Sequence, residues 1–297
     1  MYSKIAVAYR SDRHGEDALA LAGVLADTGS VDEVVLIEAL KHARSGAAAE
    51  RRLESLKRPW PSHVHTSLHA EPGGSPAEAL ISAVAERSAD VLVLGSTHRG
   101  FAGRALLGTT GDRLVHAARF PVVVAPVNFH EEPAALRTVG VAFDGYAESH
   151  VALRWAADLA TAFDARLRLI GVVEPQPEPI ETWGAEVPGE AWSSGLEFEQ
   201  TTEIVQAMRE RVDRDLDAAR ASLGRDDVET TTLVGDPKGA LRDQAHDLDM
   251  LVVGSHGRGQ VESMFLGSVS RGLAHSYPVP LAVIPSRTAN GDGTKSG

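Results

Sequence analysis

The chain has no cysteine, which removes disulfides and thiolate metal sites from consideration. It also has no apolar run near the ~20 residues that a membrane helix needs. Behind Met1-Tyr2-Ser3-Lys4, the first apolar stretch, Ile5–Tyr9, is too short for a secretory signal. These absences make a cytoplasmic protein without membrane insertion the expectation. Positive charge is scarce as well: 29 Lys and Arg stand against 41 Asp and Glu, a formal charge of −12. An acidic field of that size repels nucleic-acid backbones, so no nucleic-acid partner is expected. It opposes a polyphosphate at long range too. Any nucleotide must be held by local donors, such as backbone N–H groups or a helix N-terminus, with a metal beside them.

What is present points to a folded chain. A hydrophobic content of 43% with 24% charged residues is that of a globular protein. At 297 residues, two domains are the natural division, each long enough to bury its own core.

Internal similarity decides the division. Asp90-Val-Leu-Val-Leu-Gly95-Ser96 returns as Asp249-Met-Leu-Val-Val-Gly254-Ser255, 159 residues later. The register continues without a gap through Arg99/Arg258, Gly100/Gly259, Gly108/Gly267, Leu114/Leu273, His116/His275, Pro121/Pro280 and Pro126/Pro285. Upstream, with gaps, Gly74–Leu80 matches Gly235–Leu241 and Ile5–Tyr9 matches Val139–Phe143. The expected domains are residues 1–130 and 136–286, with a junction at Asn128–Ala135 and a disordered Gly/Asn/Asp/Lys tail at 287–297.

Within each copy short apolar runs alternate with longer amphipathic stretches. In the second copy strands are expected near Thr138–Phe143, Arg166–Val173, Val228–Val234, Met250–Val253 and Val279–Ile284. Helices are expected near Glu148–Phe163, Leu196–Ser222, Pro237–His246 and Gly267–His275. Strands this apolar, without clean alternation, are buried on both faces. That means an α/β fold: two tandem doubly wound domains, each a five-stranded parallel sheet covered by helices. Ligands in such sheets bind beyond the carboxyl ends of the strands, where the winding reverses. Glu174–Ser194, rich in Pro, Glu and Trp, reads equally as a lid carrying Trp183 and Trp192 or as a variable surface loop.

After the second copy's fourth strand comes Gly254-Ser255-His-Gly257-Arg258, and then Gly267-Ser268-Val269-Ser270 opens a helix. Glycines at 254 and 257 allow a sharp turn and a close backbone approach to a ligand. Successive N–H groups in such a turn form an anion-binding nest. Gly267 and Ser268 sit where helix donors and dipole favour phosphate. Arg258 is a phosphate partner or only a solvated loop arginine.

This arrangement resembles the universal stress protein family, whose nucleotide-binding members carry Gly-x2-Gly-x9-Gly-Ser/Thr after the fourth strand. The resemblance covers nearly the whole chain, twice, apart from Glu174–Ser194 and the tail. It implies an adenine nucleotide alpha hydrolase-like fold and an ATP-binding regulatory or stress-response protein, with Mg²⁺ accompanying ATP. It further implies Asp144 at the nucleoside end, backbone of Val172 and Val173 against adenine, Gly235 in the Gly-x-Pro step, and the glycine motif around the phosphates. Universal stress domains commonly pair through the fifth strand, so Pro121–Pro126 and Pro280–Pro285 are expected to pair within the chain, about a pseudo-twofold axis. A homodimer of two such chains stays open.

The first copy departs from the pattern twice. His98 replaces the second glycine, although Gly108-Thr109 survives, and Arg10 stands where Asp144 stands, with Asp12 two residues later. The nucleotide is therefore expected mainly in the second domain. No motif positions a general base, so catalysis extends at most to slow ATP hydrolysis. Other readings keep the residues without ATP: a scaffold recruiting a protein or lipid partner, or a sensor of AMP or cyclic AMP. Asp144 also reads as a helix cap. His63, His65 and His69 read as solvated residues of an edge strand in preference to a metal site. His116 and His275 read as helix-end residues facing the dipole.

Overall fold

The computed structural model describes residues 2–40, 46–56, 59–72, 74–96, 107–175, 196–255, 267–274 and 277–285. The first half runs β1 (Lys4–Ala8), α1 (Arg13–Ala26), β2 (Glu33–Leu40), α2 (Gly46–Glu54), β3 (His65–Pro72), α3 (Pro76–Glu86), β4 (Val91–Gly95), α4 (Gly108–Ala117) and β5 (Val122–Ala125). The second half repeats it as β6 (Thr138–Ala142), α5 (Ala147–Ala162), β7 (Arg166–Val173), α6 (Leu196–Ser222), β8 (Val228–Val234), α7 (Pro237–Asp243), β9 (Met250–Gly254), α8 (Ser268–Ala274) and β10 (Leu281–Ile284). Two helices start on side-chain caps that the sequence offers. Asp12 accepts the Gly15 N–H at 3.2 Å ahead of α1, and Asp236 accepts the Gly239 N–H at 2.9 Å ahead of α7, with Pro237 at its first position.

The described strands form one ten-stranded sheet in the order β3-β2-β1-β4-β5-β10-β9-β6-β7-β8. Every neighbouring pair is parallel except β5 with β10. Each half therefore has the order 3-2-1-4-5, and its winding reverses between first and fourth strands. Alternate residues feed two cores. Val34 and Leu36 belong to the core that includes α1 and α5, whereas Val35 and Ile37 belong to the one that includes α3, α4, α7 and α8. Both cores run across the seam between the halves, and parallel strands covered on both faces need unbroken apolar sequence.

At the seam Val123 pairs with Ala282, flanked by Leu281↔Val124 and Val283↔Val122. Val123 and Ala282 are 159 residues apart, the repeat offset, so the pseudo-dyad passes between them. The same axis sets Asp112 against its counterpart Arg271, with Nε 3.4 Å from Oδ1. Two identical domains would confront like charges there. The duplicated chain has made the pair complementary, and His116 lies 3.7 Å from the same carboxylate. Asp112→Arg and Arg271→Asp are each expected to lower stability by about 1 kcal/mol, and the double swap to restore most of it. A thermal double-mutant cycle at low and high salt measures this.

Several boundaries differ from the sequence expectation, among them the last strand, which begins at Leu281 and not Val279. The Pro237–His246 helix is α7 followed by a 3₁₀ turn at Gln244–Asp247, which tightens the chain before β9. β3 begins at His65, so His63 lies in the preceding turn and not on the strand. β3 is an edge strand as expected, with His65 exposed. His69 is half-buried beside Arg87, and burial with that guanidinium holds its imidazole below the usual range. His116 lies in the last turn of α4. His275, most of Glu174–Ser194 with Trp183 and Trp192, and the 287–297 tail lie outside the described residues. Among the described residues, no helix is long and apolar enough to cross a membrane.

Candidate functional site

In the second half the winding reverses between β6 and β9, and the residues singled out above gather at the ends of these strands and of β7. Asp144 follows β6 on an exposed turn, where Gly145 takes φ +81°. It does not cap α5. The cap position is Tyr146, and Asp144 Oδ1 accepts the Tyr146 N–H at 3.1 Å, an Asx turn one step earlier. In the first half Asp12 is the cap itself.

Val172 and Val173 differ in what they can offer. The Val173 carbonyl accepts the Gly235 N–H at 2.9 Å and so belongs to the β8 side. Alternate residues of a strand turn their polar groups to opposite neighbours. Ile170 accepts from Phe143 on the β6 side, so Val172 faces that side too. The last β6 pairing is Ala142↔Ile170, which leaves Val172 one step beyond the ladder, with its backbone groups toward the crevice. Gly235 takes φ +143°, a conformation that only glycine adopts readily, and leads into α7.

The end of β9 is stitched to the first turn of α8. Ser255 donates its N–H to Ile284 at 2.9 Å, Gly267 donates to the Ser255 carbonyl at 2.8 Å, and Ser270 Oγ donates to the Gly254 carbonyl at 2.7 Å. Gly267 and Ser270 are buried, Ser268 is exposed and Val269 lies between. The Gly267 carbonyl accepts the Arg271 N–H, so Ser268, Val269 and Ser270 carry the N–H groups that a helix leaves unsatisfied within itself. Gly257 and Arg258 lie outside the described residues.

Gly254 itself has a packing role. A Cβ there would sit 3.2 Å from the Glu148 backbone in the first turn of α5. Gly95, its counterpart, is pressed harder against α1: a Cβ would fall 2.8 Å from the His14 carbonyl carbon and inside contact distance of the oxygen. The first glycine of each motif thus lets a helix start close against the sheet, in both halves.

A neighbour without any motif is Asp215 of α6, whose Oδ2 lies 3.7 Å from a Cβ built on Gly145. It is 71 residues from Asp144, and only the tertiary fold brings α6 over this turn. With exposed Tyr146, it completes an acidic, partly aromatic wall. Asp144 and Asp215 are oxygen donors of the kind a hard divalent cation takes.

The first half fills the equivalent place differently. Arg10 donates to Asp12, forming an ion pair across the β1–α1 turn. Burial raises the Asp12 carboxyl, but the hydrogen bonds from Arg10 and Gly15 outweigh it, and its pKa is lowered. Glu38 occupies the position of Gly171. It is buried and paired with Arg52 of α2 at 2.5 Å, with its Oε2 unpartnered among the described residues. Gly95 ends β4, with Ser96 just after it, and Gly108-Thr109 opens α4, Gly108 with φ +66°, whereas His98 lies outside the described residues.

Two doubly wound domains joined through their fifth strands, each with a glycine ending its fourth strand and another just before or at the start of its last helix, define a tandem α/β protein. The model of the universal stress protein family matches residues 1–126 and again 135–285, and the chain belongs to that family. A universal stress protein of Mycobacterium tuberculosis is 26% identical over 245 residues, covering 80% of this chain and 79% of its own. One from Mycolicibacterium smegmatis is 31% identical over 226 residues, covering 75% of this chain and 69% of its own. The crystal structure of a universal stress protein from Archaeoglobus fulgidus has a TM-score of 0.62 at 18% identity, covering 96% of this chain and 99% of that one. A Pseudomonas aeruginosa structure has a TM-score of 0.64 at 16% identity, with 96% and 93% covered. These two structures share the fold.

Proposed function

We propose that the second half, residues 136–286, binds ATP with Mg²⁺ and acts in regulation or stress response through its conformation or a partner. The observation that carries this reading is the stitching of α8 onto β9. The bonds from Gly267 to Ser255 and from Ser270 to Gly254 hold the first turn of α8 at the strand ends. Its unsatisfied N–H groups are thereby held where a phosphate would meet them. Adenine takes the backbone of Val172, the nucleoside end lies at Asp144, and the phosphates lie on Gly254–Ser270 with Arg258. The surrounding carboxylates oppose a bare polyphosphate, so the cation neutralises charge where Asp144 and Asp215 cannot. In the first half, the Arg10–Asp12 and Glu38–Arg52 pairs occupy each other's charge, which supports one nucleotide per chain.

Calorimetric titration with ATP and Mg²⁺ tests this, with one site expected. Gly257→Glu should abolish binding, and Ser270→Ala should weaken it roughly tenfold by loosening the α8 turn. Absence of binding at millimolar ATP would return the molecule to the scaffold reading. Mass spectrometry of ligand released from the protein as isolated separates ATP from AMP and cyclic AMP.

A further inference from the structure

A second concave site lies far from the crevice, at the seam between the halves. It is a cavity of about 450 Å³ between the C-terminal ends of α3 and α4 and the flank of α5. Its walls are aromatic and aliphatic: Tyr2 and Trp155, stacked with ring centroids 6.3 Å apart, with Phe120, Ile81 and Leu159. Asp158 and Arg119 stand among these residues, both exposed, and neither has a hydrogen bond or ion pair among the described residues. Asp90 is already committed, its Oδ2 accepting the N–H groups of Ser3 and Lys4 at 2.8 and 2.9 Å.

The pseudo-dyad makes the site informative. It carries Trp155, Asp158 and Leu159 onto Leu21, Val24 and Leu25 of α1, and Arg119 and Phe120 onto Pro278 and Val279. At the counterpart Leu21 is fully buried, and the linker residues Phe129 and Leu136 join α1 in one core. One copy of the groove is thus apolar at these positions. The other has a half-exposed tryptophan, a free carboxylate and a free guanidinium. A volume of this size, mostly apolar with a few polar groups at a domain boundary, matches a small-molecule site.

We propose that this seam cavity binds a small aromatic zwitterion, an aromatic amino acid or a close relative. The ring enters between Tyr2, Trp155 and Phe120, where stacking and burial favour it. The ammonium group pairs with Asp158 and meets the Trp155 face, and the carboxylate pairs with Arg119 in the bidentate geometry that guanidinium offers. A ligand with one charge would leave the other rim group without a partner.

The test uses L-phenylalanine as probe, titrated against the full-length protein by calorimetry, with phenethylamine, 3-phenylpropionate and L-alanine as comparisons. Phenylalanine should saturate one site, each singly charged analogue should bind roughly fivefold or more weakly, and alanine should not bind. Asp158→Asn should bring phenylalanine to the level of phenylpropionate, Arg119→Gln to that of phenethylamine, and Trp155→Leu, the dyad residue, should abolish binding. ATP titration of these variants should be unchanged, because the cavity is separate from the crevice. No saturable phenylalanine binding up to about 10 mM, or binding indifferent to Asp158→Asn and Arg119→Gln, overturns the proposal.

Discussion

Gly95→Ala is expected to destabilise the protein by about 3 kcal/mol or more, while Gly254→Ala should cost only about 1 kcal/mol. The two glycines occupy the same place in the repeat, so propensity and motif predict equal effects. Packing makes them unequal. At Gly95 the new methyl would meet the His14 backbone, with the carbonyl carbon 2.8 Å away and the oxygen closer still. That backbone belongs to the first turn of α1 and cannot move without shifting the helix from the sheet. At Gly254 the neighbours are Glu148 backbone and Cβ atoms at 3.2 Å, which a displacement of a few tenths of an ångström relieves. Thermal melting should show a midpoint lowered by roughly 6–12 °C for Gly95→Ala and by a few degrees for Gly254→Ala. Equal shifts would mean that the two halves pack α1 and α5 alike. ATP binding separates the roles further. Gly254→Ala should retain it in weakened form, since the methyl projects to α5 and not to the crevice.

This contrast shows where the sequence was legible. Parallel strands buried on both faces need continuous apolar runs, so β7 and β9 could be read directly, as could α6 over its full length. The seam was legible because a constant offset of 159 residues makes β5 and β10 equivalent and the family resemblance implies that the fifth strands pair. The reason for a glycine was less so. Gly254 reads in sequence as a close approach to ligand, yet its nearest neighbour is the helix behind it, 106 residues upstream. Gly15 belongs to no motif, although a Cβ there would fall 2.8 Å from two Arg10 backbone atoms. Asp215 and the Trp155–Asp158 rim were invisible for the same reason: each becomes part of a site only through residues remote in the chain. Asp144 read as a cap or a ligand residue, and the Asx turn to Tyr146 removes the first role without consuming its second carboxylate oxygen.

Asp17→Ala should be among the most damaging single changes away from the strands, at about 2–3 kcal/mol. Asp17 is a fully buried carboxylate on α1. It accepts the backbone N–H groups of Asn128 at 3.2 Å and His130 at 3.0 Å, and its Oδ1 lies 2.6 Å from His130 Nδ1. These partners come from the linker between the halves, where Asn128 takes φ +63°, so one side chain fixes the turn that leads from β5 to β6. Alanine would remove the shared acceptor of two linker N–H donors and an imidazole and leave a cavity where the carboxylate is fully buried, a larger loss than that of an ordinary exposed pair. Asp17→Asn keeps an acceptor for the backbone and should cost clearly less. His130→Ala removes the ring but leaves both backbone bonds and should fall between. The counterpart of Asp17 is Val151, because the chain returns over α1 only after the first half. Limited proteolysis supplies the readout that distinguishes a lost anchor from general weakening. In Asp17→Ala, cleavage within residues 127–136 should precede cleavage elsewhere, whereas Val151→Ala should leave that order unchanged.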